Sequence, residues 1–498
     1  MKKFLKVLPL IILCFFAFTG CNFDNTVKKA SKNLTNYSVV MALDDTNKTI
    51  SANQKVDYIN RTDVLLSTLC FNLYGNAFRE GAKVKPYSEN NEGKCFPEGL
   101  NYGNIVINSV KVKGLSVKYS IIGEDENILS IPLNEPLYPT SRTSIEIEWK
   151  LKLALTTHRL GYYNGNINLG NFYPIACMYE HGDFVMSPYY STGDPFYSDI
   201  ANYNISIEYP ENYTLVSTGN GTGENNSNAR KTSKFSASAV RDFAVVLSEK
   251  FEKKTVQLKN TTINYYGYEG DTDSDLALEL SVKAFKFYSE KFGEYPYKTL
   301  NVVKTDFVHG GMEYPNLVMI ADNIDDTIDY YKVIAHEIAH QWWYSVVGND
   351  EINNAWLDEA VTEYSTVVFF EMHPEYKVTR DAQMQANISG YSLYTDVIKS
   401  IDGKINLSME LPVNKYNSEY EYVYMVYVKG TIMLDTLRTT IGDKAFFKGL
   451  KIYYKNNKFK IAKKCNLVAS FEESSKVNLE SFFTSWLSGE ALVTKINP

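Results

Sequence analysis

Residues 333–343 of this 498-residue chain, VIAHEIAHQWW, contain two histidines and a glutamate in the order H-E-x-x-H. On a helix, residues four apart lie about 6 Å along the axis on nearly the same face, so His336 and His340 present their imidazoles side by side. Zinc binds imidazole nitrogens at about 2.0–2.1 Å, and Glu337 would face a metal-bound water. This stretch therefore predicts a zinc-binding helix, as opposed to a helix with two structural histidines.

A third ligand is expected downstream, because two histidines leave a zinc ion short of ligands. The segment WLDEAVTEY (356–364) opens a second helix, and its Glu359 follows the second histidine by 19 residues. A reversing loop at 348–354 would bring this carboxylate beside the histidines. Asp358 and Glu363 are the alternatives: the first points about 100° away, and the second is better placed to hydrogen-bond a ligand histidine. Three protein ligands with an open fourth position are typical of catalytic zinc.

The first half of the chain has the alternating hydrophobic pattern of β-strands. Residues 145–153, IEIEWKLKL, would bury five apolar side chains on one face, and residues 203–209 follow the same rule. Residues 218–228, TGNGTGENNSN, are typical of a hairpin loop. We therefore predict a mostly antiparallel β domain.

The hydrophobic period changes to that of a helix beyond about Glu252. We predict helices at 271–292 and from about Asp326 to Val347, the latter ending at Gly348 as its C-cap, and strands at 300–303 and 317–320. The remainder is expected to be mainly helical.

The amino terminus has the features of an export signal. Residues 1–20 combine three lysines with an apolar run and a small-residue end, and Cys21 follows directly. The cysteine resembles the acylated residue of a bacterial lipobox, so we expect a protein anchored by lipid to the outer face of the cell membrane. Residues 21–36 are polar and would form a tether. The alternative is plain secretion, with Cys21 as an incidental thiol.

The charge argues against nucleic acid as a partner. The chain carries 51 basic and 58 acidic residues, for a net charge of −7, and loss of residues 1–20 would make it −10. Cys70, Cys95, Cys177 and Cys465 show no zinc-ligand spacing. They do not form a disulfide framework, although Cys70 and Cys95 could bridge in an exported protein.

Several segments together carry a resemblance to a known family. HEIAHQWW and the glutamate of WLDEA are preceded by GGMEYP (310–315) and FGEYPY (292–297) and followed by YVKG (427–430). This set resembles the aminopeptidase N family of zinc metallopeptidases, or gluzincins. The resemblance implies a multidomain fold, in which an antiparallel β saddle or sandwich precedes a mainly helical, thermolysin-like catalytic domain. We expect a bacterial lipoprotein form that lacks the helical C-terminal domain of many members.

By this resemblance, one Zn²⁺ per chain would be bound by His336, His340 and Glu359. Glu337 would be the general base that takes a proton from the metal-bound water and passes it to the leaving amine. Tyr427 matches the family's tyrosine that donates a hydrogen bond to the oxyanion, with Tyr424 as the alternative.

Glu313 matches the family glutamate that binds the α-ammonium group of the substrate. Gly311 and Met312 would shape the pocket for the first residue, although a glycine pair at this point is also compatible with a simple tight turn. Tyr314 replaces the asparagine that the family usually has. A second ammonium-binding residue is expected from the β domain, within residues 171–180.

The four other histidines have no partner at ligand spacing. We interpret His158, His181, His309 and His373 as structural or surface residues, with His309 close enough to GGMEYP to line the pocket.

The predicted function is removal of amino-terminal residues from peptides by a zinc-dependent aminopeptidase. The predicted organisation is a signal peptide (1–20), a tether (21–36), a β domain (37–252) and a metallopeptidase domain (253–498). One alternative is a thermolysin-like endopeptidase, against which Glu313 argues. The other is an inactive surface binding protein, against which the complete set of site residues argues.

Overall fold

The regular structure of the N-terminal part of the chain, up to Ser248, is mainly β-strand. The structure, a computed structural model, describes residues 23–493, so the predicted signal sequence and Cys21 lie outside the described residues. The helices and strands of this part are α1 (Phe23–Ala30), β1 (Asn36–Asp44), β2 (Thr49–Ile59), β3 (Leu66–Asn72), α2 (Glu92–Cys95), β4 (Asn104–Val112), β5 (Leu115–Ser116), β6 (Ser120–Ile122), β7 (Ile128–Leu137), β8 (Arg142–Lys152), β9 (Leu160–Tyr163), β10 (Asn166–Leu169), β11 (Ile175–Ala176), β12 (Tyr179–Glu180), β13 (Asp183–Phe184), β14 (Ala201–Pro210), β15 (Thr214–Ser217), β16 (Asn220–Ser227), β17 (Arg230–Val240) and β18 (Val245–Ser248).

An eight-stranded sheet is the largest unit of this β domain. Its order is β16-β17-β14-β1-β2-β8-β4-β5, and all neighbours are antiparallel except β1 and β14. Two four-stranded sheets accompany it, in the orders β15-β18-β10-β9 and β11-β3-β7-β6. The prediction for residues 145–153 is confirmed, since all five apolar side chains of that stretch are buried. Trp149 lies between Ala52 of β2 and Ile107 of β4.

The predicted hairpin loop at residues 218–228 is wrong. Residues 220–227 form β16, an edge strand that pairs with β17 and turns at Asn228 and Ala229, both with positive φ. All eight residues of β16 are exposed. The strand therefore has no buried face to impose an alternating pattern, and its glycine and asparagine content looks like that of a loop.

The predicted tether begins with a short helix. Residues 23–30 form α1, and Val27 and Ala30 pack against the core of the β domain. The polar segment is thus partly in contact with the fold.

The second domain begins at β19, where the chain enters a new sheet. The predicted limit near Glu252 lies within this strand. Its elements are β19 (Phe251–Gln257), β20 (Thr262–Tyr268), α3 (Ser274–Lys291), β21 (Thr299–Thr305), β22 (Gly311–Met312), β23 (Leu317–Ala321), α4 (Thr327–Ala339), β24 (Val347–Gly348), α5 (Glu351–Asn354), α6 (Trp356–Glu371), α7 (Arg380–Asp402), α8 (Glu419–Tyr422), a π-helical segment (Val423–Val428), α9 (Lys429–Ile441), α10 (Asp443–Asn457), β25 (Lys460–Ile461), α11 (Lys464–Ser475) and α12 (Glu480–Ser488).

A five-stranded sheet in the order β19-β20-β21-β23-β22 occupies the first part of this domain, and α3 lies between β20 and β21 in the chain. Helices α3, α4 and α6 pack around one another. The fold class expected from the sequence, a β domain followed by a mainly helical domain, is confirmed.

Helix α4 ends earlier than predicted. Its N-cap is Asp326, as expected, but His340 is the C-cap, and the residues up to Val347 are not helical. The indole of Trp342 donates to the carbonyl of Gly293, and that of Trp343 donates to Ser365. Both side chains are held in the core by these contacts, and the backbone that carries them leaves the helical path. Gly348 belongs to β24 and is not a cap.

The cysteines of the described residues are not bridged. Cys70, Cys95 and Cys177 are buried thiols and Cys465 is exposed. Cys70 packs beside Cys177 and Ile128, whereas Cys95 lies in a separate cluster with Tyr87 and Phe96, so the suggested Cys70–Cys95 bridge is not formed. Between residues 23 and 493, no helix has the length and apolar character needed to cross a membrane.

Candidate metal centre and active site

A cavity of about 580 Å³ lies between the β domain and the second domain. Its walls come from both: Arg159 and Asp194 from the β domain, and residues of β22, α4, α6 and the π-helical segment from the second domain. Seven of the eight predicted site residues line it, namely Gly311, Glu313, His336, Glu337, His340, Glu359 and Tyr427.

The three predicted metal ligands converge at one point of this cavity. The Nε2 atoms of His336 and His340 lie 3.1 Å apart, and Glu359 Oε2 lies 3.3 Å from the first and 3.2 Å from the second. Ligand atoms in a tetrahedron around zinc, each about 2.0–2.1 Å from the ion, are about 3.3 Å apart. The spacing of this donor set therefore fits zinc.

Both imidazoles bond through Nδ1 to an acceptor, so that the Nε2 atom of each ring faces Glu359. His340 Nδ1 lies 2.8 Å from the carbonyl oxygen of Trp343, which can only accept, so Nδ1 carries the proton. His336 Nδ1 donates in the same way to Glu363 Oε2, also at 2.8 Å. Both rings are thus in the tautomer that a metal ligand needs.

The electrostatics of the three ligands favour a positive charge among them. Burial lowers the pKa of His336, but its hydrogen bonds to Glu359 and Glu363 outweigh burial and raise that pKa to about 10. For Glu359, burial raises the pKa, and the neighbouring His340 and His336 more than reverse this, so the carboxyl is ionised. The negative charge of the carboxylates favours protonation of the two imidazoles. A divalent cation bound here would take the place of those protons.

A second group of possible ligands is less suited to a cation. Glu313, His340 and Asp358 also offer atoms within 4.8 Å of one another. However, His340 Nδ1 donates to a carbonyl, and Asp358 accepts from Asn349 Nδ2 at 3.0 Å. Asp358, an alternative third ligand in the sequence, is therefore used in a structural hydrogen bond.

Glu337 lies in the cavity with an unpartnered carboxylate oxygen. Its Oε2 is buried and has no hydrogen-bond partner within the described residues. Burial raises its pKa to about 7, with the charges of His336 and His340 opposing the shift. A Cβ atom at Gly311 would lie 2.2 Å from Glu337 Oε1, so a larger residue there would displace the carboxylate. The glycine of GGMEYP thus makes room for the carboxylate of H-E-x-x-H.

Glu313 is a buried carboxylate beside this group. It is 4 % exposed, and its Oε1 is likewise unpartnered within the described residues. Burial raises its pKa, and the nearby Asp194 carboxylate raises it further. Gln341, directly after the second histidine, donates to the backbone carbonyls of Glu313 and Tyr314, each at 3.2 Å. The zinc-helix segment therefore fixes the segment that carries Glu313.

Met312 is not part of the cavity wall, contrary to the prediction. It is 1 % exposed and pairs with Met319 of β23. In an extended segment successive side chains alternate between the two faces, so Gly311 and Glu313 face the cavity and Met312 faces the core.

The π-helical segment places Tyr427 against the metal ligands. Its ring stacks on that of His336, with centroids 6.0 Å apart. π-Helical turns are frequent at functional sites, because one extra residue reorients the side chains. Tyr424, the alternative, instead stacks on Tyr394 of α7 at 4.5 Å and is absent from the cavity lining in the described part of the chain. Gly430 sets the spacing behind Tyr427, since a Cβ there would lie 2.4 Å from the Cβ of Ala360 in α6.

Some lining residues were not anticipated from the sequence. Asp194 forms a partly buried ion pair with Arg159 at 2.5 Å, and Tyr422 packs edge-on against Tyr427. Asp194 follows Gly193, whose φ of +67° marks a turn, but nothing local in the sequence indicates that this turn reaches the cavity. The predicted region 171–180 does not line it.

His309 does line the cavity, and it has a partner. Its Nε2 lies 3.1 Å from Nε2 of His158, which in turn lies 3.1 Å from the carbonyl oxygen of Pro86. Two of the four histidines interpreted as isolated therefore form a pair.

Comparisons with known proteins show which sequences and folds this chain resembles. Residues 276–486 match the Peptidase family M1 domain. The chain is 25 % identical over 415 residues to aminopeptidase N of Lactobacillus helveticus, covering 78 % of this chain and 47 % of that protein. It is 28 % identical over 244 residues to aminopeptidase N of Lactobacillus delbrueckii subsp. lactis, covering 45 % and 28 %. The chain thus spans about half, or less, of the length of these relatives.

Solved structures with the same fold cover nearly the whole chain. The M1 zinc metallopeptidase from Deinococcus radiodurans superposes with a TM-score of 0.65 at 16 % identity, covering 93 % of this chain and 96 % of that one. A mutant of that enzyme, solved with a Tyr-Ser-Ala substrate, gives a TM-score of 0.63 at 17 % identity over the same shares. Residues 276–486 of the chain thus carry a Peptidase family M1 domain, and the chain is similar in sequence to aminopeptidases N and in fold to an M1 zinc metallopeptidase.

Proposed function

We propose that this chain is a zinc-dependent aminopeptidase that removes single residues from the amino terminus of peptides. The observation that carries the proposal is the position of Glu313. Its buried, unpartnered carboxylate lines the same cavity as the three metal-ligand atoms and Glu337. A carboxylate fixed beside the hydrolytic groups can bind the terminal ammonium of a peptide and so restrict cleavage to its first bond.

One zinc ion per chain would be bound by His336, His340 and Glu359. When bound, zinc polarises the scissile carbonyl and lowers the pKa of a coordinated water to about 7. Glu363 orients the imidazole of His336 and raises its basicity as a ligand.

Glu337 acts as the general base and then as the general acid. Burial raises its pKa to about 7, which suits a group that takes a proton and releases it at neutral pH. It accepts the proton of the attacking water and transfers it to the leaving amine. The free space around its carboxylate, which Gly311 provides, allows it to approach both atoms.

Glu313 binds the substrate α-ammonium, and Asp194 adds a second negative charge on the same side. Burial, and then repulsion from the Asp194 carboxylate, raise the pKa of Glu313. A cationic ammonium relieves this repulsion, so the pair selects a protonated amine over an acetylated one. The scissile bond is then held one residue away from the bound ammonium.

Tyr427 donates a hydrogen bond to the oxyanion that develops on the scissile carbonyl. Its ring rests on His336, which fixes the hydroxyl near the ligand atoms. One such donor contributes about 10²–10³ in rate.

Hydrolysis of a peptide with a free amino terminus, compared with its N-acetylated form, tests the exopeptidase claim. Glu313→Gln, which keeps the shape and removes the charge, is expected to lower kcat/KM for the free peptide by about 10²-fold without lowering zinc content. Equal rates on both peptides would identify a thermolysin-like endopeptidase. Failure of zinc-loaded protein to cleave any of a broad panel of aminoacyl-anilides would favour the binding-protein alternative.

We also propose that the enzyme is anchored outside the cell membrane through lipidated Cys21. The support is the sequence pattern of residues 1–21. Membrane fractionation of cells that express the full chain and a Cys21→Ser variant is the test, and the variant is expected in the soluble or secreted fraction. Retention of the variant in membranes would contradict the anchor.

A further inference from the structure

A buried carboxylate of the β domain lies between two segments of the active site. Asp242 follows β17 and is 1 % exposed. Its Oδ2 accepts a hydrogen bond from the hydroxyl of Tyr344, and its Oδ1 accepts from Ser198 Oγ at 3.3 Å and from Asn171 Nδ2 at 3.5 Å. Two of these three contacts lead to the active site, one through Tyr344 and one through Asn171.

The first contact concerns the end of the zinc helix. Tyr344 comes four residues after His340, and its φ of 140° lies in the region that favours glycine. A tyrosine persists in such a conformation only where its surroundings enforce it. Here Arg241 Nε donates to the Tyr344 carbonyl at 3.0 Å, while Asp242 binds the hydroxyl. The β domain thus binds both ends of this strained residue.

The second contact concerns the substrate-binding segment. Tyr314 follows Glu313 directly, is fully buried, and donates through its hydroxyl to Asn171 Oδ1 at 2.7 Å. Gly170 leaves space for this tyrosine, because a Cβ atom there would lie 2.0 Å from the Tyr314 hydroxyl oxygen. The hydrogen bonds therefore continue from Glu313's neighbour through Asn171 to Asp242.

We infer that Asp242 is a positioning residue of the active site, which fixes the Glu313 segment through Asn171 and Tyr314 and the end of the zinc helix through Tyr344. The inference rests on the proposed aminopeptidase function, since it assigns Glu313 to ammonium binding. It makes the β domain part of the substrate-binding apparatus, although the network does not touch the substrate.

The inference predicts a specific kinetic signature. Tyr314→Phe removes only the hydroxyl that reaches Asn171, so Glu313 loses part of its orientation while the zinc ligands are untouched. We expect KM for aminoacyl-anilides to rise about tenfold, with kcat and zinc content nearly unchanged. Tyr344→Phe, on the other branch, should lower kcat as well, because it frees the chain just after His340.

Coupling between the two branches is the decisive measurement. Tyr314 and Tyr344 share Asp242, so the Tyr314→Phe/Tyr344→Phe double variant should lose less than the product of the two single losses in kcat/KM. Asp242→Asn should resemble the double variant. The matched control is Tyr209→Phe, which removes a buried hydroxyl bonded to Ser233 at 2.8 Å in the eight-stranded sheet. It should lower Tm without changing KM.

Hydrogen–deuterium exchange provides a readout that does not depend on catalysis. Tyr344→Phe should accelerate exchange of the backbone amides of residues 311–316, on the far side of Asp242, and Tyr209→Phe should not. Exchange that is unchanged in both, or an unchanged KM in Tyr314→Phe, overturns the inference. Absence of activity in the unsubstituted zinc-loaded protein would instead count against the proposed function, and the exchange result would still decide the positioning role.

Discussion

The described part of the chain contains two pairs of histidines with nearly the same geometry and opposite electrostatics. In both pairs the Nε2 atoms are 3.1 Å apart, and the ring centroids are 4.8 Å apart for His336–His340 and 4.9 Å apart for His158–His309. The first pair faces carboxylates, and the pKa of both its imidazoles is raised. Burial and the charge of Arg159 lower the pKa of both imidazoles in the second pair.

The difference shows that close imidazoles alone do not make a metal site. Glu359 and Glu363 surround the first pair with negative charge. The second pair is surrounded by aromatic rings and a peptide carbonyl, and it is not among the candidate metal-ligand groups of residues 23–493. A cation is stabilised at the first pair and destabilised at the second.

Removing the charge from the first pair should have the largest effect. Glu359→Gln keeps the side-chain shape but removes the anionic ligand, so we expect zinc affinity to fall by more than about 100-fold and peptidase activity to be lost. Zinc content after dialysis, measured by atomic absorption, is the test. The control is His309→Gln in the second pair, which should bind zinc as the unsubstituted chain does. Full zinc occupancy in Glu359→Gln would mean that the third ligand is misassigned.

Tyr427 contacts the first histidine pair, because its ring stacks on that of His336. Tyr427→Phe keeps the stacked ring and removes the hydroxyl, so kcat should fall by about 10²–10³ with zinc retained. Steady-state kinetics on an aminoacyl-anilide provide the measurement, with Tyr424→Phe as the control because that hydroxyl does not line the cavity. A larger loss in Tyr424→Phe would reverse the assignment.

Glu363 should have an intermediate effect, because it acts on zinc through His336. Glu363→Gln places a neutral amide beside Nδ1 of His336 in place of the carboxylate. We expect zinc affinity to fall by about 10–100-fold. Competition with a chelator of known affinity measures this loss. An unchanged affinity would show that the charge of Glu363 is not needed to orient the imidazole.

The smallest effect concerns the second pair and acid stability. Burial and Arg159 lower the pKa of His309 from 6.5 to about 3, so the unfolded chain binds more protons between these pH values. The unfolding free energy should therefore decrease as pH falls through this range, by at most about 1.4 kcal/mol per pH unit for this group.

His309→Gln lacks this titration. Its stability deficit relative to the unsubstituted zinc-loaded protein should be smaller at about pH 5 than at about pH 7. Urea denaturation at the two pH values gives the comparison. A deficit that grows on acidification would contradict the lowered pKa.

The sequence was most informative where the chemistry is local. His336, Glu337 and His340 are fixed relative to one another by one helical turn, and Glu359 lies on the next long helix. Alternation along β8 likewise follows from the residues themselves. Each of these features depends on the spacing of side chains along a regular element.

The sequence was less informative where the tertiary structure overrides a local pattern. Helix α4 stops at His340 because two tryptophans are drawn into the core, and β16 forms because β17 supplies a partner edge. Met312 faces away from the cavity because β22 pairs with β23. These contacts include residues seven positions apart, as for Met312 and Met319, and 49 positions apart, as for Trp342 and Gly293. The spacing of side chains within a single element does not specify them.

The sequence by itself determined the candidate metal ligands, the candidate general base and the order of the two domains, because these follow from motifs whose geometry a helix or strand imposes. Only the tertiary structure decided which groups surround them. Asp194, Asp242 and His158 come from the β domain, at least 94 residues before the first ligand histidine, and they reach the active-site region through long-range packing. The difference between the two histidine pairs arises from that packing, since the charges around an imidazole, more than its neighbour in sequence, determine whether it can bind a cation.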